Sequence, residues 1–309
     1  MITRQDYQVS RYKHLTQYID VEKSEGLEIG ACDLPTVPKG VGRCEYADFR
    51  SSQELIQSWQ LPPETVVPVK YVIDRNVALH LQINRKFDYV ILCHVIEHVP
   101  NVIGYIQSLR KLLRPNGVIL ITCPDKRKTP DIYRPSTTVE HLLSDYYHAS
   151  GYPAFEHVLE SGKAFLEEIN RKSRTAPREF YQWACDNFES GYADTHCHVW
   201  TDEEFFGQME YLIKGKLLNG LKIADKFPNS PEFNEFSLIL QTTKLEKLPA
   251  LKQSFESSEV ERLRAELNHT LADLQAAQTR IEAMETSKFW KLRKSWFALK
   301  EKVGLSTNK

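Results

Sequence analysis

Residues 26–38 read GLEIGACDLPTVP. A short apolar run, Leu27–Ile29, carries Glu28 inside it, meets Gly30 and passes into a loop with Pro35 and Pro38. A strand that ends on glycine is where open α/β sheets bring the backbone close to a ligand, because a Cβ would block the approach. A dinucleotide fingerprint needs two further glycines, so that a helix N-terminus can approach a pyrophosphate. Cys32 and residues near Pro35 stand at those places, and the two prolines keep a helix from starting directly after Gly30. The stretch therefore disfavours a pyrophosphate cradle and leaves room for a ligand without phosphates.

Strand-like and helix-like segments alternate from Gly26 to about Thr243. Strands are expected at 27–29, 44–47 and 66–73, the last ending at Asp74. FDYVILCHVIEH (87–98) and NGVILITCP (116–124) hold nearly continuous apolar runs, as strands buried on both faces of a parallel sheet do. LKIAD (221–225) and EFSLILQT (235–242) supply two more. Ser51 with Glu54 and Thr201 with Glu204 are capping-box helix starts. Val102 to Leu113 has apolar residues at helical spacing and stops before Pro115-Asn116-Gly117. The pattern predicts one doubly wound α/β domain, residues 1–250, on a mostly parallel seven-stranded sheet. Residues 1–20 read as an amphipathic lead-in. Residues 125–195, rich in charge and aromatics, read as a helical insertion.

Beyond residue 250 the texture changes. Val260, Leu263, Leu267, Thr270, Leu274, Ala277, Ile281 and Met284 alternate in steps of three and four, which predicts a coiled-coil helix within 251–287. Pairing through 258–287 would make a homo-oligomer or engage a partner protein. Residues 288–309 form a basic, aromatic amphipathic tail. Six basic residues against Glu301 give its 288–303 stretch a charge of about +5. Such a segment suits peripheral membrane contact through 288–305, a protein partner, or no target at all.

Bulk properties narrow the classes. The formal net charge of the 309 residues is −1, so no global field draws nucleic acid or membrane. No leader-like segment opens the sequence and no apolar run reaches a membrane span. The six cysteines lack a C-x-x-C pair, which suits reduced thiols in a cytoplasm. The location expected is cytoplasmic, with the tail allowing contact at the inner membrane face.

Glu28, Asp48 and Asp74 follow one another at successive strand ends. Carboxylates there gather at the carboxyl edge of a parallel sheet, where they can meet ribose hydroxyls or an adenine amino group. With LEIGACDLP, the segment from FDYVILCHVIEH through LRPNGVILITCPDKR, and HCHVWT, the chain resembles the class I S-adenosylmethionine-dependent methyltransferases, in particular a bacterial type-11-like subgroup. The resemblance covers about residues 20–243 and implies a Rossmann-like fold with S-adenosylmethionine as cofactor. It implies that Glu28 and Gly30 serve the methionine part and ribose, Asp48 the ribose hydroxyls, Asp74 the adenine, and Cys93 and His94 the methionine end. Two departures stand out. Cys32 replaces a usual glycine, and a proline-bearing loop rather than a clean helix spans Gly30 to Asp48, which leaves Glu45 as a competitor of Asp48 for the ribose.

Methyl transfer from a sulfonium is an in-line displacement that needs alignment and, for an oxygen acceptor, a base. His94, His196 and His198 are the catalytic candidates, with His98, Asp125 and His141 as further bases. Asp125, Lys126, Arg127, His196 and His198 are the acceptor-side candidates; the two cations would suit an anionic acceptor such as a nucleotide sugar. In an extended segment His196 and His198 would point to one side, and with a carboxylate could bind zinc or iron. No third ligand is identifiable, so no metal is assigned. Methyl transfer to a small molecule or a surface-polysaccharide precursor is the leading reading. A catalytically inactive protein of the same fold, acting through its coiled coil, is the alternative. A dinucleotide or nucleotide-sugar enzyme is disfavoured by the missing glycines.

Overall fold

The computed structural model describes residues 2–169, 177–190 and 194–248. The expected coiled coil and basic tail lie outside them. One compact unit spans Met1–Lys247. In chain order its elements are α1 (Arg4–Thr16), β1 (Glu25–Ile29), β2 (Arg43–Asp48), α2 (Ser52–Trp59), β3 (Val69–Val72), α3 (Leu79–Gln82), β4 (Phe87–Cys93), α4 (Val102–Leu112), β5 (Leu113–Pro124), α5 (Val139–His148), α6 (Phe155–Ile169), α7 (Pro177–Glu189), α8 (Asp202–Lys214), β6 (Leu221–Phe227) and β7 (Glu235–Thr242).

The seven strands form one sheet in the order β3-β2-β1-β4-β5-β7-β6. The first five in that order are parallel; β7 runs antiparallel to both β5 and β6. The strand order reverses between β1 and β4, and the crevice beyond the carboxyl ends of such a pair is where open α/β sheets bind ligands.

Strand periodicity divides the core into two layers. Val90, Leu92, Ile119, Ile121, Leu238 and Leu240 pack on one face with Ile103 and Ile106 of α4 and Phe205 and Met209 of α8. Tyr89, Ile91, Val118, Leu120 and Ile239 face the other way, against Leu15 of α1 and Val37. The second layer explains the lead-in segment. Residues 30–42 form turns and loop rather than a helix between β1 and β2, as the prolines predict, and α1 covers that face.

Both capping boxes form, Ser51 with Glu54 and Thr201 with Glu204. Boundaries shift where sequence pattern and pairing disagree. The expected strand 66–73 contracts to Val69–Val72 on the sheet edge, beyond Pro68, which has no N–H to give a ladder. β5 starts earlier than expected, at Leu113, and absorbs the Pro-Asn-Gly turn as an irregularity in its register with β4, with Asn116 at φ 63°.

Candidate functional site

Gly30 lies at the reversal point. Its φ is 73°, and a Cβ there would come within 2.6 Å of Val95 Cγ2, so the turn after β1 packs directly against the turn after β4. Glycine meets both demands. Cys32 also lies in the left-handed region, at φ 49°. The residue that departs from the glycine pattern keeps the glycine backbone path, at a cost of about 1–2 kcal/mol.

Glu28 points into this loop rather than into solvent. Both carboxylate oxygens accept from the Thr36 N–H, at 2.8 and 3.0 Å. Burial pushes the Glu28 carboxyl up to about 7, against the Thr36 bonds and the Arg11 charge that favour its ionised form. Thr36 Oγ1 in turn lies 3.3 Å from Cys93 Sγ, whose thiol burial pushes up to about 11.

Asp48 closes β2, buried, and accepts from the Arg50 N–H at 3.0 Å. Burial raises its pKa. Its competitor Glu45 is spent elsewhere, on Lys70, Tyr71 and Arg85, three residues before the strand end. Asp74 sits at the same edge, one residue past Ile73, whose N–H donates to the Asp48 carbonyl. It is exposed and caps a local turn by accepting from Asn76 N–H.

These groups fit S-adenosylmethionine. The rim offers Asp48, a buried carboxyl whose charge a cationic or hydroxyl-bearing ligand would stabilise, and a loop braced by Glu28 and held close by Gly30 and Cys32.

His94 follows β4 in the left-handed region, at φ 54°. Its Nε2 is 2.7 Å from Glu235 Oε2, and its Nδ1 is 3.7 Å from Glu97 Oε1. Glu235, at the start of β7, is gripped by Arg11 of α1 through two bonds of 2.9 and 2.6 Å. Burial would raise the Glu235 carboxyl, but the bonds to Arg11 and His94 win and lower it.

His196 and His198 separate. The chain bends at Cys197, so the expected one-sided alternation fails. His196 Nδ1 is 2.6 Å from Asp131 Oδ2, and its ring packs edge-on to His98 at 4.7 Å. Burial opposes its charged form, yet Asp131 and Glu97 raise the His196 pKa. His198 is fully buried, donates from Nε2 to the Pro100 carbonyl at 2.8 Å, and is pushed down by burial to about 3. As a catalytic base or acceptor contact it is therefore corrected to a neutral core histidine. His141, the further base, pairs instead with Asp145 and His157.

The Asp125–Arg127 segment needs a second correction. Asp125 is buried and accepts from Arg127 and from Asn229 Nδ2, the latter at 2.7 Å. Arg127 also bonds Asp202 at 2.6 Å, and Lys126 Nζ donates to the Arg134 carbonyl. These charges tie the end of β5 to α8 and the loop before β7, so an anionic acceptor would have to displace internal partners.

Arg11, Asp131 and Glu235 join the site without a local signal in the sequence. They lie far along the chain from the residues they hold, and Asp131 sits in an insertion with no periodic signal.

Comparison with known proteins gives the following. A family model described as a methyltransferase domain matches residues 39–211, more than half of the chain. A ubiquinone biosynthesis O-methyltransferase from Rickettsia canadensis is 28% identical over 120 residues, covering 38% of this chain and 49% of the relative. One from Histophilus somni is 29% identical over 98 residues, covering 32% and 36%. The chain thus spans about half the length of the curated relatives it matches, or less. A solved S-adenosylmethionine-dependent methyltransferase from Clostridium acetobutylicum superposes at TM-score 0.43 with 10% identity, covering 79% of this chain and 93% of that one.

Proposed function

The chain belongs to the methyltransferase-domain family, whose methyl donor is S-adenosylmethionine, and from that premise we propose that it methylates a hydroxyl oxygen of a small molecule. The O-methyltransferase names of its curated relatives support an oxygen acceptor. When bound, the donor supplies an electrophilic methyl carbon; positioning and proton handling fall to the chain.

Glu28 braces the loop after β1 through Thr36, and Asp48 at the end of β2 would accept from the ribose hydroxyls of a bound donor. His94 is the base. Glu235 takes the Nε2 proton's hydrogen bond and so fixes the tautomer, which leaves the Nδ1 lone pair to accept the acceptor's proton. Glu235 and Glu97 then flank the imidazolium that forms. The observation that carries this reading is the His94–Glu235 pair, placed at the turn that packs on Gly30.

The test is transfer of label from radiolabelled S-adenosylmethionine to a panel of phenols, catechols and sugar nucleotides. Wild-type protein should label a hydroxyl acceptor. His94→Asn should lose about 10²–10⁴-fold in turnover, the usual weight of a positioned base, while donor binding stays. A fully active His94→Asn variant would contradict the assignment. The alternative of an inactive binding protein predicts donor binding with no labelled product. For the surface-polysaccharide reading, sugar hydroxyls enter only as acceptors to be screened.

A further inference from the structure

Glu97 is 1% exposed, and among the described residues neither of its carboxylate oxygens has a hydrogen-bond partner. An unpaired buried carboxylate is costly, because ionisation there needs a compensating charge. What surrounds it is imidazole. His98 Nε2 is 3.9 Å and His94 Nδ1 3.7 Å from Glu97 Oε1. One ligand atom each from Glu97, His98 and His196 lies within 4.8 Å of the others.

The outer bonds of both histidines aim them inward. His98 Nδ1 is 3.1 Å from the Thr195 carbonyl, which can only accept, so Nδ1 carries the proton and Nε2 keeps its lone pair. His196 Nδ1 meets the Asp131 carboxylate at 2.6 Å, the outer-shell arrangement that orients metal-binding histidines. A second cluster, His141, Asp145 and His157, lacks this logic. His157 Nδ1 accepts from the Ala154 N–H at 3.0 Å, which puts the proton on Nε2, the atom that faces the cluster.

We propose that Glu97, His98 and His196 form a binding site for a divalent first-row metal ion, zinc being the best match to two imidazoles and one carboxylate. The DTHCH segment offers one of its two histidines, and the turn after β4 supplies the missing carboxylate and second imidazole. Tetrahedral zinc holds its ligand atoms about 3.4 Å apart, so the three groups close in slightly around the ion. Three protein ligands leave a position open. On the methyltransferase reading above, an acceptor hydroxyl would take that position beside His94, and the ion would lower its pKa. This place for the acceptor rests on the proposed function; metal binding does not.

Cobalt(II), a coloured zinc substitute, makes the test independent of donor and acceptor. The full chain is freed of metal by chelation, then titrated with cobalt while the visible absorption and the melting temperature are followed. One cobalt per chain is expected, with a rise in melting temperature and displacement by zinc. Glu97→Gln and His196→Asn should each weaken binding at least about tenfold, and Asp131→Asn by about 10–100-fold, as loss of an outer-shell partner does. His141→Asn should bind like wild type. Comparison of each variant's melting curve without metal separates misfolding from ligand loss. No saturable cobalt binding to wild type, equal binding by the two ligand variants, or loss confined to His141→Asn would each overturn the site. Methyl transfer that proceeds without metal would leave the proposed function standing and remove only the role given to the ion.

Discussion

Arg11 and Glu235 are joined by a buried two-point ion pair, although 224 positions of sequence separate them. The pair docks α1 onto the start of β7, and its second consequence is at His94, which shares the Glu235 carboxylate. Arg11→Met would leave that carboxylate buried with His94 as its remaining partner among these groups. Loss of one partner from a buried pair costs about 3–5 kcal/mol, a drop in melting temperature on the order of 10 °C for a domain of this size. Arg11→Met/Glu235→Gln should recover part of the loss, since no lone charge stays behind. A loss under about 1 kcal/mol in the single variant would show that the pair is not coupled to folding.

Cys32 and Gly30 make opposite predictions from similar backbone angles. Cys32→Gly should be neutral or stabilising by up to about 1 kcal/mol, because relief of left-handed strain offsets the entropy glycine adds to the unfolded chain. Donor affinity should be unchanged within about threefold, since the path of the loop is kept. Gly30→Val should destabilise by more than about 2 kcal/mol and abolish donor binding, as the new Cβ meets Val95 and the residue resists φ 73°. Thermal melts and calorimetry on the two variants check both outcomes. A tolerated Gly30→Val would remove the argument for a close turn.

Glu28 makes stability depend on pH. Its folded pKa, about 7, lies above the ordinary 4.5, so between those values the folded state holds a proton that the unfolded chain has released. Stability therefore falls as pH rises through that window, and the contribution present below about pH 4.5 is lost above pH 7, on the order of 3 kcal/mol in all. Glu28→Gln should make the slope of unfolding free energy against pH shallower across this range. Denaturant melts at closely spaced pH values would show it; equal slopes in the two proteins would contradict the burial assigned to Glu28.

The nearly continuous apolar runs in 87–93 and 117–123 declared the sheet, because strands buried on two faces leave a pattern no surface helix has. Ser51 and Thr201 gave helix starts for the same reason: capping is local chemistry, decided within four residues. Gly30 and the prolines gave the loop after β1, including the absence of a helix there. Legibility ended where partners are distant. Nothing near Asp125 or Arg127 announces that Asn229 and Asp202 will satisfy them, so an exposed-looking basic segment proved to be an internal brace. The alternation that should have aligned His196 with His198 failed at one bend, at Cys197. Glu97 looked like a residue just past a strand, and only its burial among histidines set it apart.

Asp48 separates ligand binding from stability. Asp48→Asn keeps an acceptor for the Arg50 N–H and removes a carboxyl whose burial is unfavourable to its charge. Folding stability should hold or rise slightly, while donor affinity should fall about tenfold or more with the loss of a charged acceptor for ribose hydroxyls, worth about 1.5–3 kcal/mol. An unchanged affinity would move the ribose away from β2.

Titration calorimetry of the full chain with S-adenosylhomocysteine reads the donor site itself, without knowledge of the acceptor. Saturable binding of one molecule per chain is predicted, weakened in Asp48→Asn and absent in Gly30→Val. No heat with folded wild-type protein, or equal binding by all three, would contradict a donor site at the carboxyl ends of β1, β2 and β4.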